Sequence, residues 1–279
     1  MTGPALRPSA AARGVQIAVV PAAGFGKRIR ALAGGRAKEM IRVGARTLIE
    51  HALADLQSGG LVSVVIVISP DKEGLRTYVG DRWGSLAVEY IYQQRPDGVA
   101  RAIALARDVV GKRPFVAFMP DNYCATGPGL TVQLVRAYDA HPGYVLGLLE
   151  LDASRLGQFG AAGFVEAAPI REASPTGCSP RVVRISKVHD KGERPDPPAS
   201  QRLLKGFPAS LLLPDFFERA CRLSPSARSG EYEDTPILQE LAAAGKVIGA
   251  VLEGVVFDCG IPEGLLAARR YLEAAPSEG

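Results

Sequence analysis

The sequence predicts an α/β fold: a doubly wound, mainly parallel sheet with a smaller antiparallel region in its second half. Two observations carry this. In the first half, apolar runs of strand length alternate with segments of helical periodicity, the order expected of a parallel sheet with helices on its faces. In the second half, strand-like runs follow one another across a loop rich in Pro, Ser and Gly, as antiparallel strands do.

Taken in order, residues 1–14 are rich in Pro, Ala and Gly and carry two arginines. They lack the apolar core of a signal peptide and are expected to form a disordered tail. Strands are expected over Ile17–Val20, Val62–Ile68, Val88–Tyr92, Phe115–Met119, Tyr144–Leu149 and Val247–Phe257. Between them, Leu48, Ile49, Ala52, Leu53 and Leu56 share one helical face. So do Val99, Ala102, Ile103 and Leu105, and then Leu130, Val132, Leu134, Val135 and Tyr138. Phe164–Ala168 and Arg181–Val188 read as antiparallel strands joined by the segment Pro169–Pro180. Asp190–Ser200, with three prolines, reads as an exposed loop, and Leu203–Leu213 as a further strand. Helices are expected over Pro214–Leu223, Pro236–Ala244 and Pro262–Ala275. The expected domain spans residues 15–275.

Composition narrows the function. The 279 residues are 47% hydrophobic and 22% charged, with a net charge of only +4. That is an ordinary globular balance without the blanket positive surface of a nucleic-acid binder. No apolar run reaches the length of a membrane span. Cys124, Cys178, Cys221 and Cys259 form no CxxC and have no histidine at metal spacing, so they read as reduced thiols of a cytoplasmic protein.

Local charge is more informative. The first strand runs into a loop with Ala23, Gly24 and Gly26, then Lys27 and Arg28. Glycines let backbone N–H groups approach phosphate, and a helix opening there would add favourable partial charge. The loop is neither a dinucleotide-binding GxGxxG, since Ile29 holds the third glycine position, nor a Walker A loop. Lys38, in Lys38-Glu39-Met40, can fold back on the same anion or pair with Glu39 at the surface. Gln93, in the turn Gln93–Gly98, offers the donor and acceptor that suit a nucleobase edge, or is part of a simple loop. Asp121 and Asp258 each follow an apolar strand. Singly each reads as a helix N-cap; together they suit Mg²⁺, which keeps waters and takes phosphate oxygens as its remaining ligands.

The ordered succession GFGKR, AKEM, QQRPDG, PDN, DKG and FDCG resembles the sugar-1-phosphate nucleotidyltransferases, in particular their glucose-1-phosphate thymidylyl and uridylyl branches. The resemblance runs from about Val15 to Leu272. It implies a Rossmann-like fold, with residues 15–150 mainly nucleotide-binding and 151–275 mainly sugar-binding and closing. It implies transfer of a nucleoside monophosphate from a nucleoside triphosphate, UTP or dTTP, to a sugar 1-phosphate. A guanylyl- or cytidylyltransferase, or a non-catalytic nucleotide-sugar-binding protein, is the alternative. Arg28, Lys38 and Asp121 then match catalytic positions, Ala23, Gly24, Gly26, Lys27, Gln93 and Gly98 nucleotide contacts, and Asp121 and Asp258 the Mg²⁺ ligands. Lys191 matches the lysine that holds the sugar phosphate, and Asp190 and Gly160 match contacts to the sugar. Homo-oligomers without nucleic-acid or membrane partners are implied. The chain departs from the family pattern at Lys27, Gly192 and Pro236, where the family has Thr, Pro and Asp; the last two fall in the sugar-binding half.

Overall fold

The computed structural model describes residues 14–29, 31–125, 127–160, 163–170, 180–190, 192–193 and 202–274. All but Gly14 of the expected tail over residues 1–14, the core of the 169–180 segment, Lys191 and residues 194–200 of the expected loop Asp190–Ser200 lie outside the described residues.

The chain begins with β1 (Ile17–Pro21), a small hairpin of β2 (Arg42–Val43) and β3 (Arg46–Thr47), α1 (Leu48–Ser58), β4 (Ser63–Ile68) and α2 (Glu73–Val79). It continues through β5 (Arg82–Trp83), β6 (Leu86–Tyr92), α3 (Val99–Leu105), α4 (Arg107–Val110), β7 (Phe115–Phe118), β8 (Asn122–Cys124), α5 (Leu130–Ala140) and β9 (Tyr144–Leu151). The second half supplies β10 (Phe164–Pro169), β11 (Arg181–Val188), β12 (Leu203–Leu212), α6 (Asp215–Cys221) and α7 (Thr235–Ala243). It ends in β13 (Val247–Val251), β14 (Val256–Asp258) and α8 (Pro262–Ala274).

Ten strands form one sheet, ordered β10-β11-β13-β9-β12-β7-β1-β4-β6-β5. The block β7-β1-β4-β6 is parallel, as is β9-β13. The antiparallel second half does not form a separate layer. It extends the same sheet, and β12 enters between β7 and β9, antiparallel to both.

Strands β1, β4 and β7 are buried on both faces, which is why they read as unbroken apolar runs. Alternate residues separate onto two cores. Ala18, Val20, Val64, Ile66, Val116 and Phe118 join α1, α2 and α5 on one face. Ile17, Val19, Val65, Val67, Phe115 and Ala117 join α3, α6 and α7 on the other. Helix α1 buries the five residues its periodicity predicts and opens with a reciprocal Thr47–Glu50 capping box. Leu105, assigned to the apolar face of α3, is 44% exposed instead, because that helix ends there. The expected strand over Val247–Phe257 is broken after Val251; β14 leaves the main sheet to pair with β8.

Candidate active site

Four neighbouring parallel strands end on the same edge of the sheet, where ligands of such sheets bind. After β1 comes the Gly24 loop, after β4 Lys72, after β6 the turn Gln93–Gly98, and after β7 the pair Pro120-Asp121.

The Gly24 loop does not open a helix. It closes as turns, with the Ile29 amide donating to the Gly26 carbonyl at 3.0 Å, and buried Ile29 anchors it beneath α8. This loop therefore contributes no helix-end partial charge, and its positive charge is carried by its side chains. Lys27 and Arg28 are exposed, and the Lys27 ammonium lies 5.8 Å from the Phe25 ring centroid. Gly26 has φ +60, and a β-carbon there would stand 3.3 Å from Lys38 Cβ, so the loop packs directly on Lys38.

The loop is held from below by a residue the sequence did not single out. Lys72 Nζ donates to the carbonyls of Ala22 (2.5 Å) and Gly24 (2.7 Å) and to both carboxylate oxygens of fully buried Glu39 (3.0 Å each). A buried carboxylate must be paired to stay charged, and Lys72 is that partner. The alternative of a surface Lys38–Glu39 pair is thereby corrected. Lys38 instead donates to Asp121 Oδ2 at 2.5 Å.

Burial works to lower the Lys38 pKa, but the charges of Asp121 and Glu39 outweigh it, and Lys38 stays above its ordinary value. Burial likewise pushes Asp121 up, but Lys38 holds it below the usual carboxylate range. Asp258 differs. Burial and then the charge of Asp121 raise it, against the amides of Gly160 (2.8 Å, to Oδ2) and Gly260 (3.0 Å, to Oδ1), which stabilise its ionised form.

The two acids converge. A β-carbon on Gly260 would lie 2.5 Å from Asp121 Oδ2 and 3.1 Å from Asp258 Oδ1. Only a glycine leaves that space open. Asn122 lies beside them, its amide nitrogen donating to Met119 O and to Asp121 Oδ1, while its buried Oδ1 has no hydrogen-bond partner among the described residues. Two facing carboxylates, with an amide oxygen nearby, are the hard oxygen donors Mg²⁺ prefers. Among the described residues there is no group of three or more acidic, His or Cys side chains that could hold a metal without further ligands.

A cavity of about 660 Å³ joins these groups to the second half. Its lining includes Arg28, Asp121, Gly160, Lys205 and Asp258, together with apolar Val99, Ile103, Leu212 and Leu238 and residues of the stretch 228–235. Arg28 Nη1 would stand 3.3 Å from a β-carbon on Gly160. Lys205 on β12 is a second residue that the sequence pattern did not single out. Burial, with Arg28 nearby, lowers its pKa to about 8 despite Asp258.

The other predicted residues are placed around this centre. Ala23, Gly24, Gly26 and Lys27 form the loop at its margin. Gln93 is buried and donates to Asp97 Oδ1 (2.8 Å) and Gly98 O (3.3 Å), so its donors hold the turn together. Gly98, at φ +131, has the Tyr232 backbone where a side chain would be, and this joins the turn to the second half. Neither Gln93 nor Gly98 lines the cavity, though Val99 does. Asp190 is exposed and accepts from Gln239 Nε2 at 2.8 Å. Gly192, at φ +90, has the Arg228 guanidinium packed where a β-carbon would be.

This site on this fold defines a class. The model of the nucleotidyl transferase family matches residues 17–174, and the chain belongs to that family. Similar proteins include the low-salt glycan biosynthesis nucleotidyltransferase Agl11 of Haloferax volcanii, 28% identical over 91% of this chain. A glucose-1-phosphate thymidylyltransferase of Streptomyces griseus is 30% identical over 91% of this chain. The chain spans only 65% of the length of each of these two. A UTP–glucose-1-phosphate uridylyltransferase of Pseudomonas aeruginosa is 24% identical, and the match covers 90% of this chain and 93% of the relative. Among solved structures, a UDP-glucose pyrophosphorylase complexed with UDP-glucose superposes with a TM-score of 0.76 at 21% identity, covering 93% of this chain and 98% of that one. No helix among the described residues is long and apolar enough to cross a membrane.

Proposed function

We propose that this chain transfers a nucleoside monophosphate from UTP or dTTP to a sugar 1-phosphate, releasing pyrophosphate. The observation that supports this most directly is the meeting of Arg28, Asp121 with its partner Lys38, and Asp258 around one cavity, from opposite ends of the chain. Two of the named relatives are a glucose-1-phosphate uridylyltransferase and a glucose-1-phosphate thymidylyltransferase.

An ionised oxygen of the sugar 1-phosphate attacks the α-phosphorus, and the bond to pyrophosphate breaks in line. The nucleophile is already an anion at neutral pH, so no side chain needs to act as base. The protein's work is positioning and charge stabilisation. Arg28 and Lys38 stabilise charge gathering on the departing pyrophosphate, and the Gly24 loop holds the triphosphate. Asp121 and Asp258 are the residues that would hold Mg²⁺, which when bound neutralises phosphate charge. The amides of Gly160 and Gly260 favour the ionised Asp258 that this role needs.

The test is pyrophosphate release with Mg²⁺ across UTP, dTTP, GTP, CTP and ATP, each with glucose 1-phosphate and then with other sugar 1-phosphates. Release with a uridine or thymidine pair is expected. Tight nucleotide binding without release from any pair would overturn the reading in favour of a binding protein.

A further inference from the structure

Lys205 is a buried cation that no step above uses. It is the single charged residue of β12 and is only 4% exposed, yet it lines the cavity with Arg28 and Asp258. Its ammonium lies 5.6 Å from the Phe164 ring centroid, a cation–π contact that helps fix the end of a long, flexible stem. An ammonium held away from water is stabilised by anions that meet it. Asp258 is one anion on the protein whose charge favours the ammonium, and its two oxygens accept the Gly160 and Gly260 amides. An anionic ligand in the cavity would be a second.

Gly160, Gly163 and Gly206 line the cavity together with Lys205. Gly206 follows it, and the Gly206 amide donates to the Gly163 carbonyl at 2.6 Å. Gly163 has φ +82, and a β-carbon on it would press to 3.3 Å from the Gly206 carbonyl. With Gly160 on the same wall, no side chain on these three residues obstructs a ligand reaching the ammonium. Lys38 stands against the Gly24 loop and Asp121, whereas Lys205 comes from the second half and stands on the Asp258 side.

We infer that Lys205 binds the phosphate of the acceptor, the group that attacks. The cations then divide the work: Arg28 and Lys38 serve the triphosphate and Lys205 the nucleophile. This rests on the nucleotidyl-transfer reading.

Lys205→Met keeps the stem and removes the charge. With whichever nucleotide and sugar 1-phosphate the wild type uses, its KM for the 1-phosphate is expected to rise at least tenfold. The Kd for the nucleoside triphosphate, titrated without acceptor, should stay within twofold, and Lys205→Arg should recover part of the loss. A lysine that only supports the fold would weaken both substrates together and lower Tm; that result, or an unchanged acceptor KM, overturns the assignment. Calorimetric titration with inorganic phosphate needs no turnover. Wild type should bind it and Lys205→Met at least tenfold more weakly. Equal affinities, or no binding by wild type, overturn the inference. Phosphate bound through Lys205 in a protein that releases no pyrophosphate with any pair would leave this site standing and remove the transfer reading. Should Lys205→Met fail to fold, wild-type crystals soaked in inorganic phosphate decide it. Phosphate within hydrogen-bond distance of Lys205 Nζ supports the site, and phosphate bound only elsewhere in the cavity overturns it.

Discussion

Arg28 and Asp121 are where single substitutions read the chemistry most directly. Arg28→Ala is expected to lower kcat on the order of 10²–10³-fold, the usual cost of removing one preorganised group from developing charge. Steady-state pyrophosphate release measures it, and near wild-type turnover would remove Arg28 from the mechanism. Asp121→Asn should shift the Mg²⁺ activation curve to higher metal concentration. His51 makes a separate prediction about stability. Burial lowers its pKa below 6.5, and its Nε2 sits 2.8 Å from the Val43 carbonyl. The unfolded chain therefore takes up the proton first as pH falls. Stability is retained above about pH 6.5 and is lost below it, down to the folded pKa, with a slope of at most about 1.4 kcal/mol per pH unit. Chemical denaturation of His51→Gln beside wild type at pH 7.5 and pH 5.5 should show that component missing from the variant.

At the scale of elements, two supports carry the site. Lys72 ties the Gly24 loop to the turn Lys38–Met40 through its bonds to Glu39. Lys72→Met leaves Glu39 buried without its counter-charge and should cost about 3–5 kcal/mol. The double change with Glu39→Gln should recover much of that, as a double-mutant cycle in urea would show. Helix α5 has no side-chain cap from its own N-cap residue. Asp55 on α1 accepts from the Leu130 and Thr131 amides and the Thr131 hydroxyl, at 2.7, 2.8 and 2.6 Å. Asp55→Ala should therefore cost about 1–2 kcal/mol. Helices α1 and α5 were legible because their apolar residues recur at helical spacing, and the two acids because each ends an apolar strand, whereas the short helices α2 and α4 were not read. Lys72 and Lys205 were not. Lys72 meets Glu39 across the fold, and nothing near it in sequence announces the contact. Lys205 left one local sign, a lone cation inside the run Leu203–Leu213.

For the whole molecule, both faces of the sheet draw residues from both halves. One core includes Val20 and Ala250, the other Val19 and Val247. One cooperative unfolding transition is expected. Trp83, the single tryptophan, sits on β5 at one edge of the sheet, so its fluorescence reports the first half locally while far-UV circular dichroism averages over all elements. Coincident midpoints support a single unit, and separated ones would mean that the halves unfold independently. Local patterns located the strands of the main sheet other than β5 but not the position of β12, because strand order depends on long-range pairing that no local pattern encodes.

That position bears on how the protein is made. Strand β12 pairs with β7 on one side and β9 on the other, yet its last residue is Leu212. On the ribosome, β7 and β9 are complete long before their shared neighbour emerges, and each waits with an open, apolar edge of the kind that recruits other chains. The nascent first half is thus the vulnerable stage of this molecule's life, and slow translation between residues 151 and 212 would prolong it.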